Sequence, residues 1–137
     1  MKSLTDEIIT LLQGQSYPVT VKRIQDGYSN LKPVYPTIVI HEIDNRTHMA
    51  ILGKEYHSRL EYQIDIYAKD MVISEEPTLA KTIVDGIGNV VDTALQTQYG
   101  FTRTVRTRMP EGEDKTVSRL TLRYSTLLDI QNDITYR

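Results

Sequence analysis

The sequence predicts an α+β protein, a mainly antiparallel sheet of about five strands with two helices packed on one face, in the order αβββαββ. Three observations carry this expectation. "EYHSRLEYQIDIYAK" (Glu55–Lys69) alternates: Tyr56, Ser58, Leu60, Tyr62, Ile64, Ile66 and Ala68 fall on one side, Glu55, His57, Arg59, Glu61, Gln63, Asp65 and Lys69 on the other. That is period two, the mark of a strand with one buried face. Between Leu79 and Gln98 the apolar residues recur at helical spacing instead, and "FTRTVRTRM" and "TVSRLTLRYSTLLDI" return to alternation around the turn "PEGED".

Each element follows from local signals. Ser3 and Asp6 resemble a capping arrangement, Leu4, Ile8, Leu11 and Leu12 give a first helix, and Gly14 is a natural stop. "YPVTVKRI" (Tyr17–Ile24) reads as a short strand and "QDGYSNLKP" as a loop. "YPTIVIHEID" (Tyr35–Asp44) is apolar on both faces around Ile38, Val39 and Ile40, which predicts a central strand. Fifteen residues of the alternating strand would extend about 50 Å, so part of a hairpin arm around 37–69 should overhang the core of a single domain, 1–137. Ser74, Glu75, Glu76 and Pro77 predict the start of the long helix, whose stripe is Leu79, Ile83, Ile87, Val90 and Ala94, with Lys81, Asp85, Asn89, Asp92 and Gln96 on the polar side; Gly100 ends it. Gly86 and Gly88 lie inside that helix, at a cost of about 1 kcal/mol each relative to alanine, which predicts close approach of another backbone.

Composition narrows the function. The 137 residues contain no cysteine, which removes thiol chemistry, disulfides and Cys-ligated zinc. Sixteen basic and eighteen acidic residues nearly cancel, so net charge points neither to nucleic acid nor to a membrane. "MKSLTDEIITLLQG" has no unbroken apolar core of a signal peptide, and the cytoplasm of the producing cell is the expected compartment.

No chemical motif is complete. A nuclease with an αβββαβ core needs carboxylates on adjacent strands and a lysine two residues after the second. Asp44 and Asp65 are the candidates, but Tyr67 stands two residues after Asp65, and Asp65 reads as a solvated carboxylate. His41, His48 and His57 have neither the spacing nor the helix of a zinc motif. "DGIGN" sits within a helix and not before one, where a phosphate loop belongs. No catalytic residue, metal or cofactor is expected.

The closing hairpin carries Arg103, Arg106, Arg108, Lys115, Arg119 and Arg123. With Leu120, Leu122 and Tyr124 inward, Arg119, Thr121 and Arg123 face out, and Thr104, Arg106 and Arg108 are expected to join them. This stripe could bind nucleic acid. It could equally meet Glu55, Glu61 and Asp65 across the sheet or in a neighbouring subunit, the preferred reading. Met49, Ile51 and Leu52 are apolar at the hairpin tip, where residues are normally polar; either they fold onto the core or they contact another chain. Nine tyrosines against one phenylalanine, Tyr56 among them, suit half-wet interfaces.

In length, in its N-terminal helix, in "YPTIVIHEID" followed by "YHSRLEYQIDIYAKD", in the long helix and in the Arg/Thr-rich final hairpin, the chain resembles the tail terminator (tail completion) proteins of long-tailed bacteriophages and phage-like prophage elements. The resemblance spans nearly the whole chain and includes no invariant chemical motif. It implies a non-enzymatic structural protein forming a ring, of six copies in that family, that caps the tail tube and joins it to the head. The implied partners are further copies, the tube protein and a head-completion or neck protein, with neither a membrane nor sequence-specific nucleic acid among them. The implied location is the virion neck, and the host cytoplasm during assembly. Alternatives are another neck or connector component and a divergent metal-dependent nuclease.

Overall fold

The computed structural model describes residues 4–27, 34–51, 54–73, 75–110, 117–129 and 134–136, and among these the side chains of all but 4, 44–51, 54–60, 109–110, 127–129 and 134–136. In chain order the elements are α1 (Leu4–Gln13), β1 (Arg23–Asp26), β2 (Thr37–Ile51), β3 (Lys54–Lys69), β4 (Met71–Ile73), β5 (Glu76–Thr78), α2 (Ala80–Tyr99), β6 (Thr102–Pro110), β7 (Val117–Asp129) and β8 (Ile134–Tyr136). The main sheet runs β1-β2-β3-β7-β6, with β8 continuing the β6 lane along the far end of β7. Every pairing in it is antiparallel except β1 with β2. This is the expected α+β class, with both helices on one face.

The centre of the sheet is β3, which pairs with β2 from Thr37↔Tyr67 to Ile51↔Lys54 and with β7 from His57↔Asp129 to Lys69↔Val117. The strand expected to be central, around 35–44, is one lane out, and its stretch buried on both faces, Thr37–Ile40, is the part that β1 flanks. The first strand is also shorter than expected: only Arg23–Asp26 joins the ladder. Pro18 and Pro36 each lack the N–H that a ladder requires, and the Tyr17 hydroxyl donates to the Leu12 carbonyl at 2.6 Å, which holds the preceding segment against the end of α1.

The long helix begins at Ala80 and not near Ser74–Pro77. Glu76–Thr78 pairs with Met71–Ile73 as a small separate ribbon, so these residues are spent on a turn before the helix starts. Leu79 at the N-cap position has no capping side chain. Its role is taken by Asp70, whose Oδ1 accepts from the Ala80 N–H at 2.7 Å. A carboxylate there also meets the positive end of the helix dipole. At the other end Gly100 stops the helix as expected, with φ 65° and its N–H donating to the Gln96 carbonyl.

The core joins Ile8 and Leu12 of α1, the buried side of α2, and the residues of β2, β3 and β7 that face the helices: Ile38, Ile40, Tyr62, Ile64, Ile66, Ala68, Leu120, Leu122 and Tyr124. The buried stripe of α2 is Ala80, Ile83, Val84, Ile87, Gly88, Val91, Ala94 and Leu95, rotated from the expected one: Val90 is only half-buried and Leu79 is 53% exposed. Starting the helix at Ala80 rather than at 75 leaves Leu79 outside the packed face.

Tyr62 and Tyr124 lie in the core on the inward sides expected of their strands, and with Tyr99 they surround Phe101 at ring-centroid distances of 6.1, 6.4 and 5.4 Å. Each buried ring keeps its hydroxyl bonded: Tyr124 donates to Asp92 Oδ1 at 2.8 Å, and Tyr62 lies 3.3 Å from Thr5 Oγ1, tying α2 and α1 to the sheet. Burial pushes Tyr17 and Tyr62 up to about 12, and pushes Tyr124 up further, helped by Asp92.

The glycines inside α2 allow close packing of side chains, not of another backbone. A Cβ on Gly88 would lie 2.4 Å from Leu120 Cδ2, and one on Gly86 3.1 Å from Pro18 Cγ. Gly88→Ala should therefore destabilise by about 1–3 kcal/mol through overpacking, despite the roughly 1 kcal/mol gain in helix propensity. Gly86→Ala should be the milder of the two. Urea unfolding of the two variants, with Leu120→Ala added to Gly88→Ala, checks this: the pair should show favourable coupling.

Alkaline pH should also unfold the protein. Between the unfolded value of 10 and the folded value of about 12 the unfolded chain binds fewer protons at Tyr17 and Tyr62, so stability is intact below pH 10 and falls as pH rises through 12. A phenolate absorbance titration should show these buried tyrosines ionising late, together with the loss of helix signal.

Candidate functional site

The sheet face away from the helices is polar, and at its centre lies Asp65. The register sets its neighbours: Val39 on β2 and Thr121 on β7 stand directly opposite Asp65, while His41, Gln63 and Arg123 form the next row, and Tyr67 and Arg119 the row on the other side. Asp65 was expected to be solvated, yet it is 0% exposed. Four donors replace its water. Arg119 grips it side-on, Nε to Oδ1 at 3.2 Å and Nη2 to Oδ2 at 3.1 Å, while Thr121 Oγ1 donates to Oδ1 at 2.7 Å and Gln63 Nε2 to Oδ2 at 3.0 Å.

Gln63 extends the network, because its Oε1 accepts from Arg123 Nε at 3.0 Å while its amide nitrogen serves Asp65. The Arg119 guanidinium also lies 5.6 Å from the centre of the Tyr67 ring. His41 Nε2 stands 3.8 Å from Asp65 Oδ2. An ionised carboxylate offers about four acceptor positions, and four donors occupy them. Asp65 is thus suited to holding β2, β3 and β7 in register.

The arginines divide between the two faces. Arg119 and Arg123 lie on the polar face as expected, but Arg106 stands opposite Leu122 and Arg108 opposite Leu120, on the helix side. There Arg108 Nη1 lies 3.4 Å from Asp85 Oδ2 and Arg106 Nη2 donates to the Asp85 carbonyl at 3.4 Å. Arg103 Nη1 meets Asp92 Oδ2 at 2.9 Å. A bulge between Arg103 and Val105 puts Arg103 on the same side. The continuous basic stripe expected on one face is therefore absent, and these pairs tether α2 to β6.

Of the other residues singled out from sequence, Glu61 is half-buried on the polar face, opposite Ser125. Met49, Ile51, Glu55 and Tyr56 lie on the paired ends of β2 and β3, where only the backbone is described, and Leu52 lies outside the described residues. The charge pairing expected of Asp65 is realised within the chain, across β3 and β7, and not at a subunit boundary. Among the described residues no three His, Cys, Asp or Glu side chains gather as a metal site, and no helix is long and apolar enough to cross a membrane.

Sequence reasoning missed three exposed apolar residues, Ile43, Val72 and Leu79. Val72 and Leu79 flank one groove beside the β4–β5 ribbon, with Met71 and Pro77. Ile43 is the extra residue of a bulge between Glu42 and Asp44. Comparison of the sequence with protein-family models and with curated proteins returned no match.

Removing one partner of the buried pair should cost about 3–5 kcal/mol, because the other charge is left buried and uncompensated. Arg119→Met and Asp65→Ala are each expected to lose that much in urea unfolding, whereas the double variant Asp65→Leu with Arg119→Leu should lose less than the sum of the two single losses.

Proposed function

We propose that this chain is a non-enzymatic assembly protein, a ring-forming tail terminator that caps a phage tail tube and joins it to the head. One observation carries the assembly part of this reading: the hairpin stays paired well past Thr37–Ile40, the segment that β1 flanks. Glu42 and Ile43 on β2 are exposed, and the two strands stay paired to Ile51↔Lys54. Eleven residues beyond Ile40 extend on the order of 36 Å. β7 and β8 pair alongside to Asp129, so the extension is a multi-stranded blade and not a two-stranded arm. A multi-stranded extension of this length offers a surface for contact with other subunits. The tail-terminator part is supported by the resemblance in sequence and in the order of elements.

Co-expression with a tail tube protein tests the reading. The chain should sit as a closed ring on one end of the tube in electron micrographs, and Ile51→Asp with Leu52→Asp should abolish that ring while leaving the thermal melt of the isolated chain unchanged within about 0.5 kcal/mol. A chain that never associates with tubes, or a double variant that unfolds, would count against the blade as an assembly surface.

A further inference from the structure

We propose that copies of this chain join edge to edge, with β6 of one copy lying antiparallel along the open part of β2 of the next, so that the sheet continues from copy to copy. The proposal rests on the self-assembling part of the function above, and not on the tail.

Both edges are open among the described residues. β1 flanks β2 only along Thr37–Ile40, so none of the described strands lies on that side of Glu42–Ile51, and none of them lies on the outer side of Thr102–Pro110 of β6. An open strand edge is a row of unpaired N–H and C=O groups, a template for another strand. The open part of β2 starts with exposed Glu42 and with Ile43, 44% exposed at the bulge. Apolar surface on an open edge is a feature that a second chain would cover.

Charge selects the partner. Glu42 stands opposite Tyr62 on the helix side of the sheet, and exposed Asp26 lies beside it at the end of β1; both carboxylates act on the Tyr62 hydroxyl. On β6, exposed Arg103 and Arg108 lie on that same side, opposite Tyr124 and Leu120. Each guanidinium has five donors, so their single bonds to Asp92 and Asp85 leave others to offer. β6 against β6 would oppose arginine to arginine, and β2 against β2 would oppose carboxylate to carboxylate, both destabilising. β6 against β2 brings opposite charges together on one face.

Direction agrees. β7 runs parallel to β2 and β6 antiparallel to it, since β2–β3, β3–β7 and β7–β6 are all antiparallel. Copies related by rotation about an axis along the strands keep these directions, so β6 meets β2 antiparallel, the more stable ladder. The two edges differ, which makes the contact heterologous, and repetition closes a ring or extends a filament.

The absence of cysteine allows a clean test. Ile43→Cys is prepared in one sample and Thr102→Cys, Thr104→Cys or Thr107→Cys in others, all at exposed positions. Each pair is mixed and treated with a short bis-maleimide. Cross-linked dimers should form several-fold more in at least one mixture than in either variant alone. Arg103→Glu with Arg108→Glu in the β6 partner should reduce the yield, and Glu42→Arg in the β2 partner should restore it, with unchanged circular dichroism showing that each variant is folded. Equal cross-linking of a single variant with itself overturns the proposal, as does the absence of cross-links at every position up to millimolar protein, whether the chain is then oligomeric or monomeric. Rings on tail tubes without edge cross-links would remove this contact and leave the ring, whereas edge cross-links in a chain that ignores tubes would keep the contact and remove the tail.

Discussion

A carboxylate shut away from water has to be given other donors, and at Asp65 those donors come from two strands and hold a third nearby. Arg119 and Thr121 reach it from β7, Gln63 from its own β3, and His41 of β2 lies 3.8 Å away. A slip of one residue between β3 and β7 would turn Arg119 and Thr121 to the other face. It would also send Leu120 and Leu122 away from the helices and leave a buried charge unpaired. The polar network and the apolar core thus enforce the same register from opposite sides of one sheet, and the helices, the core and the blade all depend on it.

The helix side has its own ties. Asp70 closes the start of α2, Asp92 and Asp85 bind β6 through Arg103 and Arg108, and the Tyr124 hydroxyl joins Asp92 from β7. Exposed pairs of this kind are worth only about 0–1 kcal/mol each. Their larger effect is on placement, because they fix α2 over β7 closely enough that Gly88 has no room for a methyl group beside Leu120. With α2 tied to β6 and β7 and Asp65 enclosed by its donors, the surfaces open to other molecules among the described residues include the sheet edges, the blade and the apolar groove at Val72 and Leu79.

Which side chains share a face of the long strand was legible in the sequence, and so were the α+β class, the order of the main elements, the end of that strand at Lys69 and the stop at Gly100. All of these depend on near neighbours along the chain: strand alternation, helical spacing, and a glycine that accepts a left-handed turn. The α2 start was not legible, since Ser74–Pro77 resembles a helix start and only the pairing of Glu76–Thr78 with Met71–Ile73 diverts it.

The tertiary structure decided which face each set occupies and what covers it. Period two groups Arg106 with Arg108, but only the register with Leu122 and Leu120 sends both to the helix side, and only the bulge after Arg103 sends that residue with them. Asp65 alternates like a solvated residue, and it is buried because Arg119 and Thr121, 54 and 56 positions away, lie across it. Alternation is a property of one strand and can be read from the chain. Burial of a polar group belongs to the neighbours that folding brings to it, and no local spacing encodes them.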